Sequence, residues 1–411
     1  MSSSIEIARH TLLSCGLILA IGTIAALVAQ KIRIPDVAIF LITGILIGPH
    51  GLGAVHIGAE SALNQVILLF GASYILFDGG ATLRLAVLKQ VWITILVIAT
   101  LGVVVTAAIT GLAAQYILGI PPIVAFLLAA TLASTDPATL VPIFRQIPIR
   151  DRVAQTVMSE SAFNDAMAAI ITLTLLGLAT GSTFSLSASL ITLIEHSIIG
   201  IVAGIALGYL AALFIAHEKW AFLAEYAPVV TVVAVIGAFF AAEGLHASGF
   251  MAVFVFGIVL GNKEALGFAM EPGESQKLAE FVLTTAFILR LFIFILLGSQ
   301  VDFALMREYW LGGVAVTLVL MFVARPVTVF LCALPDRRAR WSLAEMLFMC
   351  WTRETGVIPA ALAGLLLGMR APGAEMIASV TFVAILITIL IQASTTRWLA
   401  SKLGLLEADK R

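Results

Sequence analysis

The sequence predicts an all-α polytopic membrane protein of about thirteen transmembrane helices, and three observations carry that prediction. Hydrophobic residues make up 61% of the 411 residues and charged residues only 11%, against roughly 25% charged in soluble domains. Mean hydropathy is +1.11. Apolar runs of the roughly 17–25 residues needed to cross a hydrocarbon core as helix recur from one end of the chain to the other. A net charge of −1 gives no electrostatic case for a nucleic-acid partner.

In chain order the runs lie near residues 11–30, 36–49, 62–79, 91–118, 122–146, 154–180, 187–215, 226–242, 246–261, 278–299, 311–333, 342–369 and 372–400. The first has only Arg9 upstream, lacks a small-residue cleavage site and is followed by basic residues, so it reads as a span and not as a removed signal peptide. The second is short. Connections are brief, and the segment from Ser401 to Arg411 is too short to fold alone, so no soluble domain is expected. Cys15, Cys332 and Cys350 sit in separate apolar runs without metal-ligand spacing and read as small core hydrophobes.

The basic residues orient the spans. With the N-terminus outside, one set of loops holds Lys31, Arg33, Arg84, Lys89, Arg145, Arg150, Arg152, Lys219, Lys263, Lys277, Arg337, Arg338, Arg340, Arg397, Lys402, Lys410 and Arg411, and the opposite set only Arg9, Arg307 and Arg370. That asymmetry follows the positive-inside rule and predicts a cytoplasmic C-terminus; the expected location is the plasma (inner) membrane. Arg290, Arg325 and Arg353 fall inside runs and need another explanation.

Two spans are interrupted. In the fifth, Ser134-Thr135-Asp136-Pro137 breaks the apolar pattern, and proline disfavours helix at the residue before it, so the chain is expected to unwind at Asp136. The twelfth repeats the arrangement with Arg353, Glu354, Thr355 and Gly356 ahead of Pro359. Irregular backbone at membrane depth requires protein or a polar cavity to satisfy it. The interruptions are seven spans apart, and an odd offset makes the two segments cross in opposite directions. This is the pattern of two inverted six-helix repeats, spans one to six and eight to thirteen, with the seventh as linker. Half-helices meeting at the midplane present partly positive and partly negative ends, which Asp136 and Arg353 respectively would offset. Two plain proline kinks are the alternative, but kinks alone do not require charges.

The sixth span carries the densest polar cluster, "SESAFNDAM". At about 100° per residue, Glu160 lies above Asn164 and Ser161 above Asp165, so all four share one broad face. A charge at the bilayer centre costs about 2.5–3.5 kcal/mol, which marks the cluster as a functional site facing protein or water. Acids at 160, 165 and 136 point to a positive guest: arginine, a metal ion or a proton.

"TDPATLVPIF" followed by "SESAFNDAM" resembles the paired motifs of the monovalent cation/proton antiporters, in the branch of the prokaryotic sodium/proton antiporters and the eukaryotic sodium/proton exchangers. "GPHGLG", "FDGGATL", "FIFILLGSQVD", "ARPVTVF" and "TRETGVIPAAL" extend the resemblance over most of the chain. The resemblance implies that Asp165 binds the cation and the proton alternately, and that Asp136, Thr135 and Ser161 help ligate the ion. It implies that Asn164 stabilises the unwound segment and that Glu160 forms a buried ion pair with Arg353. Glu354 stands where the family often has glycine, and Arg290 where some relatives carry an acid. Arg290, Arg325 and Asp78 read either as secondary pairs or as residues snorkelling from span ends.

The expected activity is therefore secondary active exchange of Na⁺ or Li⁺ for H⁺ by alternating access, electroneutral because Asn164 occupies the place of a second aspartate in electrogenic relatives, and serving pH homeostasis. K⁺/H⁺ antiport is the alternative cation choice, and a cation channel the alternative class. No zinc, nucleophile-elbow or nucleotide-loop motif points to an enzyme, and no cofactor is expected beyond the transported ions. Partners are the monovalent cation, the proton, the lipid membrane and a second copy in a homodimer. The expected organisation is a scaffold and dimer bundle from residues 1–90 and 218–300, an ion-transport core from 91–180 and 301–411, and a linker helix at 181–217.

Overall fold

Each predicted apolar run contains helix. The structure is a computed structural model and describes residues 4–32, 34–58, 61–180, 186–216, 221–301 and 303–407. Arg33, Lys219, Lys410 and Arg411, used above for orientation, and the expected boundaries at 181 and at 217–218 lie outside the described residues. The first repeat runs through α1 (Ser4–Ile32), α2 (Asp36–Ile47), α3 (Ala62–Ala81), α4 (Leu85–Leu118), the half-helices α5 (Pro122–Ala133) and α6 (Pro137–Gln146), and α7 (Asp151–Ala179). Helix α8 (Leu186–Ala216) leads to the second: α9 (Ala227–Gly244), α10 (Gly249–Gly261), α11 (Pro272–Ser299) and α12 (Phe303–Val319), the last continuing into α13 (Arg325–Ala333). Half-helices α14 (Leu343–Trp351) and α15 (Val357–Gly368) follow, and α16 (Ala374–Ile387) runs on into α17 (Ser394–Lys402).

Among the described residues nine helical stretches are long and apolar enough to cross a membrane on their own, and four apolar helices are shorter. Two of the short ones, α5 and α15, are halves of the interrupted spans; the other two, α2 and α10, hold equivalent places in the two repeats. Apolar side chains such as Leu12, Ile24, Tyr116, Phe240 and Leu311 are exposed, the surface that lipid rather than water covers.

Glycines make the repeat symmetry visible. Helix α2 packs on α11 and α10 packs on α3, two contacts that exchange when the repeats are swapped. A Cβ on Gly44 would lie 2.1 Å from the Ile295 carbonyl oxygen, and one on Gly298 2.2 Å from that of Leu41. On the related pair, Gly257 would meet the Phe77 oxygen at 2.3 Å and Gly80 the Phe254 oxygen at 2.3 Å. In each case the facing carbonyl is three residues before the facing glycine, so both seams have the same reciprocal geometry. Close backbone approach replaces the missing hydrophobic drive between helices in lipid. Helix α8 joins the second seam through Gly204, whose Cβ would fall 2.4 Å from the Ala252 oxygen.

Helices α12 and α13 are joined by a π-helical turn, Leu320–Ala324. Pro326, just beyond it, has no N–H to give and its ring crowds the carbonyl one turn back, so the ladder widens there. A second π turn, Thr388–Ala393, joins α16 to α17 without a proline.

The loops on the basic side are tied by polar contacts. Arg152 and Arg150 reach Glu345 at 3.1 and 3.8 Å, and Arg84 pairs with Asp151 at 2.9 Å. The segment after α17 lies along the α6–α7 connection, with Arg150 N–H donating to the Leu405 carbonyl (3.2 Å) and Glu407 N–H to that of Pro148 (2.7 Å). Asp336, between α13 and α14, accepts from the Thr94 hydroxyl (2.6 Å) and from the backbone N–H groups of Arg338 (3.0 Å) and Ala339 (3.1 Å). Burial acts to raise its pKa, but these hydrogen bonds outweigh burial and hold the carboxyl below the usual aspartate range.

Candidate functional site

The site forms where the two interrupted spans cross beside α7. Helix α5 stops at Ala133 because Pro137 bars helix at the preceding residue, and Ser134 is extended (ψ 146°). Helix α14 stops at Trp351, and residues 352–356 are non-helical before α15 begins. The crossing strands bind each other, with Asp136 N–H donating to the Glu354 carbonyl at 2.9 Å.

Helix ends and charges are matched as electrostatics requires. Arg353 donates from Nη2 to the carbonyls of Leu132 (3.0 Å) and Ala133 (2.8 Å), the partly negative end of α5. Asp136 opens α6, where its carbonyl accepts from Leu140 N–H (3.2 Å) and its Oδ2 from the Thr139 hydroxyl (2.7 Å). The same carboxylate abuts the start of α15: a Cβ on Gly356 would lie 2.0 Å from Asp136 Oδ2, so only glycine leaves room for an acid at both helix N-termini. Sequence reasoning expected this matching of Asp136 and Arg353 to opposite helix ends.

Helix α7 runs unbroken past the crossing and brings Glu160, Ser161, Asn164 and Asp165 to it, all buried. Asn164 spans the unwound strand: its Oδ1 accepts from Thr135 N–H (3.2 Å) and its Nδ2 donates to Thr135 Oγ1 (2.8 Å). Thr135 Oγ1 donates in turn to Ser161 Oγ at 2.9 Å. Asp165 Oδ1 accepts a hydrogen bond from the Ser134 hydroxyl, while Oδ2 is buried with no hydrogen-bond partner. A buried carboxylate oxygen without a partner is a costly arrangement, and it leaves Oδ2 available to a further ligand. Asp165, Asp136, Ser161 and Thr135, the four expected ion ligands, are thus brought to one crossing.

The expected Glu160–Arg353 pair is not formed. Glu160 instead takes a two-pronged ion pair from Arg325 of α13, which donates from Nη1 to Oε1 and from Nη2 to Oε2, the latter at 2.9 Å. Arg325 Nε donates to the Met349 carbonyl at 2.9 Å, so the guanidinium fills the gap between α7 and α14. The reason is geometric: Arg353 lies on the unwound strand beside the end of α5, whereas Arg325 follows the π turn on a helix facing α7. Arg290 is also paired, to Asp36 at 2.8 Å, so neither arginine snorkels. Asp78 is buried in α3.

Sequence reasoning missed two members of this arrangement. Ser134 is the direct partner of Asp165, and its signal was its place inside the interruption itself. Arg325 is the partner of Glu160, and its signal was an arginine deep within an apolar run that ends in proline.

A cavity of about 410 Å³ lies on the basic-loop side among α6, α7 and Thr82 just past α3. Asp151, Gln155 and Glu407 line it together with Met158, two turns of α7 before Asp165.

The family model "Sodium/hydrogen exchanger, transmembrane" matches residues 16–402. The chain is similar to the K(+)/H(+) antiporter NhaP of Alkalimonas amylolytica, 32% identical over 407 residues that cover 96% of this chain and 67% of the relative. It is 32% identical over 357 residues to Na(+)/H(+) antiporter 1 of Methanocaldococcus jannaschii, covering 85% of this chain and 81% of that one. The solved structure of the sodium proton antiporter MjNhaP1 from M. jannaschii at pH 8 superposes with a TM-score of 0.79 at 29% identity, covering 96% of this chain and 99% of that chain. A family match over nearly the whole chain, a relative 32% identical over most of its length and a shared fold lead to one conclusion: this chain belongs to the sodium/hydrogen exchanger family.

Proposed function

We propose that this multi-pass membrane protein is a sodium/proton antiporter in which Asp165 carries Na⁺ or Li⁺ in one direction and H⁺ in the other. The observation that carries the reading is the single unpartnered oxygen of Asp165, whose other oxygen accepts from Ser134 at the crossing where Thr135 bonds Ser161 and Asp136 opens the next half-helix. Carboxylate and hydroxyl oxygens suit a hard alkali cation. An empty, ionised Asp165 is a charge in a dry crossing, while Asp165 holding a proton or a cation is locally neutral. Only the loaded forms move readily, so the site returns with the other guest. One carboxylate makes the exchange one proton per monovalent cation, with Asn164 serving to hold the strand that carries Thr135.

The moving core in this reading comprises α4 to α7 and α12 to α17, and the scaffold α1 to α3 and α9 to α11 with α8 attached. The packing of α4 on α5, α7 and α13, and of α8, α3 and α9 on α10, supports that division. The cavity lined by Met158 is the access route on the basic side, which the distribution of Lys and Arg makes cytoplasmic. The scaffold supplies the contact of a homodimer. K⁺ in place of Na⁺ is the second reading, favoured by the K(+)/H(+) antiporter among the relatives.

Proteoliposomes with an internal pH reporter decide between them. Addition of Na⁺, Li⁺ and K⁺ in turn across a pH series is expected to release protons with Na⁺ and Li⁺. Proton release with K⁺ alone transfers the assignment to K⁺/H⁺ antiport, and release with none sinks the antiport reading.

A further inference from the structure

The second crossing strand holds a buried carboxyl that the exchange reading leaves without a task. Glu354 is fully buried, and neither of its carboxyl oxygens has a hydrogen-bond partner among the described residues. Thr355, the next residue, is also buried with its hydroxyl unpartnered. On the last span Gln392 is fully buried, and both its amide oxygen and its amide nitrogen lack partners.

These groups belong to one place. Thr355 N–H donates to Thr388 Oγ1 at 3.0 Å, which lays the strand along the last span. Thr396 faces the Glu354 carboxyl, and its hydroxyl donates to the Gln392 carbonyl at 2.8 Å. Gln392 therefore lies between the two contact points, one turn from each, inside the π turn that rotates it inward. The charged groups nearby make no hydrogen bond to the Glu354 carboxyl. Arg325 is committed to Glu160, Arg353 donates from Nη2 to the end of α5 while its Nη1 is unpartnered, and Asp136 adds a like charge across Gly356.

The repeat symmetry gives the cluster a counterpart. In the first repeat Thr135 N–H donates to Asn164 of the following span; in the second Thr355 N–H donates to Thr388 of the following span. Glu354 thus stands where Ser134 stands. The roles are exchanged: the first site has its hydroxyl on the strand and its carboxylate on the span, the second its carboxylate on the strand and its amide on the span.

We propose that Glu354, Thr355 and Gln392 form a second monovalent-cation site, related to the Asp165 site by the inverted repeat, with carboxylate, hydroxyl and amide oxygens as donors. The cation supplies the direct ligand contact that no side chain gives the two Glu354 carboxyl oxygens. The inference deepens the exchange reading and rests on it only for the role of the neighbouring Asp165.

The test separates the two sites. In Asp165→Asn protein, melting is followed in detergent while Na⁺, K⁺ or Tl⁺ is titrated against choline at constant ionic strength. An ion that binds the folded state raises the melting temperature. The expected result is a saturable rise in Asp165→Asn that disappears in Asp165→Asn/Glu354→Gln and is weakened in Asp165→Asn/Gln392→Leu. A rise that persists in both double variants, or none in Asp165→Asn, overturns the proposal. Should the double variants not fold, Tl⁺ anomalous scattering from crystals of the Asp165→Asn protein decides: a peak between residues 354 and 392 supports the site, and its absence refutes it. A failure of the exchange reading looks different, because Asp165→Asn would then still exchange Na⁺ for H⁺.

Discussion

Two buried acids on α7 share one face and have opposite environments. Glu160 is held at both oxygens by Arg325, while Asp165 keeps one oxygen open. Asp165→Asn is expected to abolish Na⁺-driven proton release while leaving the melting temperature within a few degrees of the parent, since an amide still accepts from Ser134; normal exchange by this variant would show that another group couples the ions. Glu160→Gln or Arg325→Gln leaves a buried charge unpaired, and each is expected to cost about 3–5 kcal/mol of stability. The double variant should cost less than the sum, read from a double-mutant cycle in detergent unfolding. At the periphery, Asp336 has its pKa lowered in the folded protein, so the stability it contributes is fully present above its unfolded pKa and is lost as pH falls through the lower folded value. Melting measured from pH 6 down to about pH 3 should therefore show a shallower acid decline in Asp336→Asn than in the parent, from a lower starting point.

Helices meet here by backbone contact at small residues, and the consequences of filling those contacts differ by position. Gly257→Ala would press a methyl to 2.3 Å from the Phe77 carbonyl and must push α10 from α3. A loss of about 1–3 kcal/mol is expected from such overpacking. Gly237 of α9 has nothing within 4 Å of its would-be Cβ. Alanine there should be neutral or stabilising by up to about 1 kcal/mol, because it favours helix. Gly356→Ala acts differently again: it displaces the Asp136 carboxylate from the start of α15, and its mark should be a raised half-saturating Na⁺ concentration more than a lowered melting temperature. Equal melting of Gly257→Ala and Gly237→Ala would show that the seam is not packed as described.

The whole molecule is two copies of one helical plan facing opposite ways, crossing at their interrupted spans. The glycine seams between α2 and α11 and between α10 and α3 are the same contact seen twice, and the crossing strands bind the spans after them through Thr135 and Thr355 in the same manner. In the exchange cycle we propose, a single exchanging carboxylate makes transport electroneutral. Transport in vesicles is expected to keep its rate when a K⁺ gradient and valinomycin impose a membrane potential, and to become potential-sensitive in Asn164→Asp. A parent rate that follows the imposed potential would rule out one-for-one exchange.

Much of this was legible in the sequence because lipid makes simple demands. Apolar length declares a span, proline beside polar residues declares a break, and an odd spacing between breaks declares inversion. Ser161, Asn164 and Asp165 could be placed on one face from helical periodicity alone, and Thr135 and Asp136 at the break from Pro137. Pairing could not. Arg325 and Arg353 are both arginines within apolar runs, and which one meets Glu160 depends on how α13 and the α14–α15 strand lie against α7, a matter of three-dimensional approach that no spacing encodes. The same holds for Ser134 against Asp165, for the room Gly356 leaves for Asp136, and for the bond of Thr355 N–H to Thr388, residues brought together only when the second repeat closes on itself. Sequence alone determined that the chain crosses the membrane about thirteen times as inverted halves with acids at the centre, since those follow from local hydropathy and backbone chemistry. Tertiary structure decided which charges neutralise one another and which oxygen stays open, since that depends on distances between segments far apart in the chain.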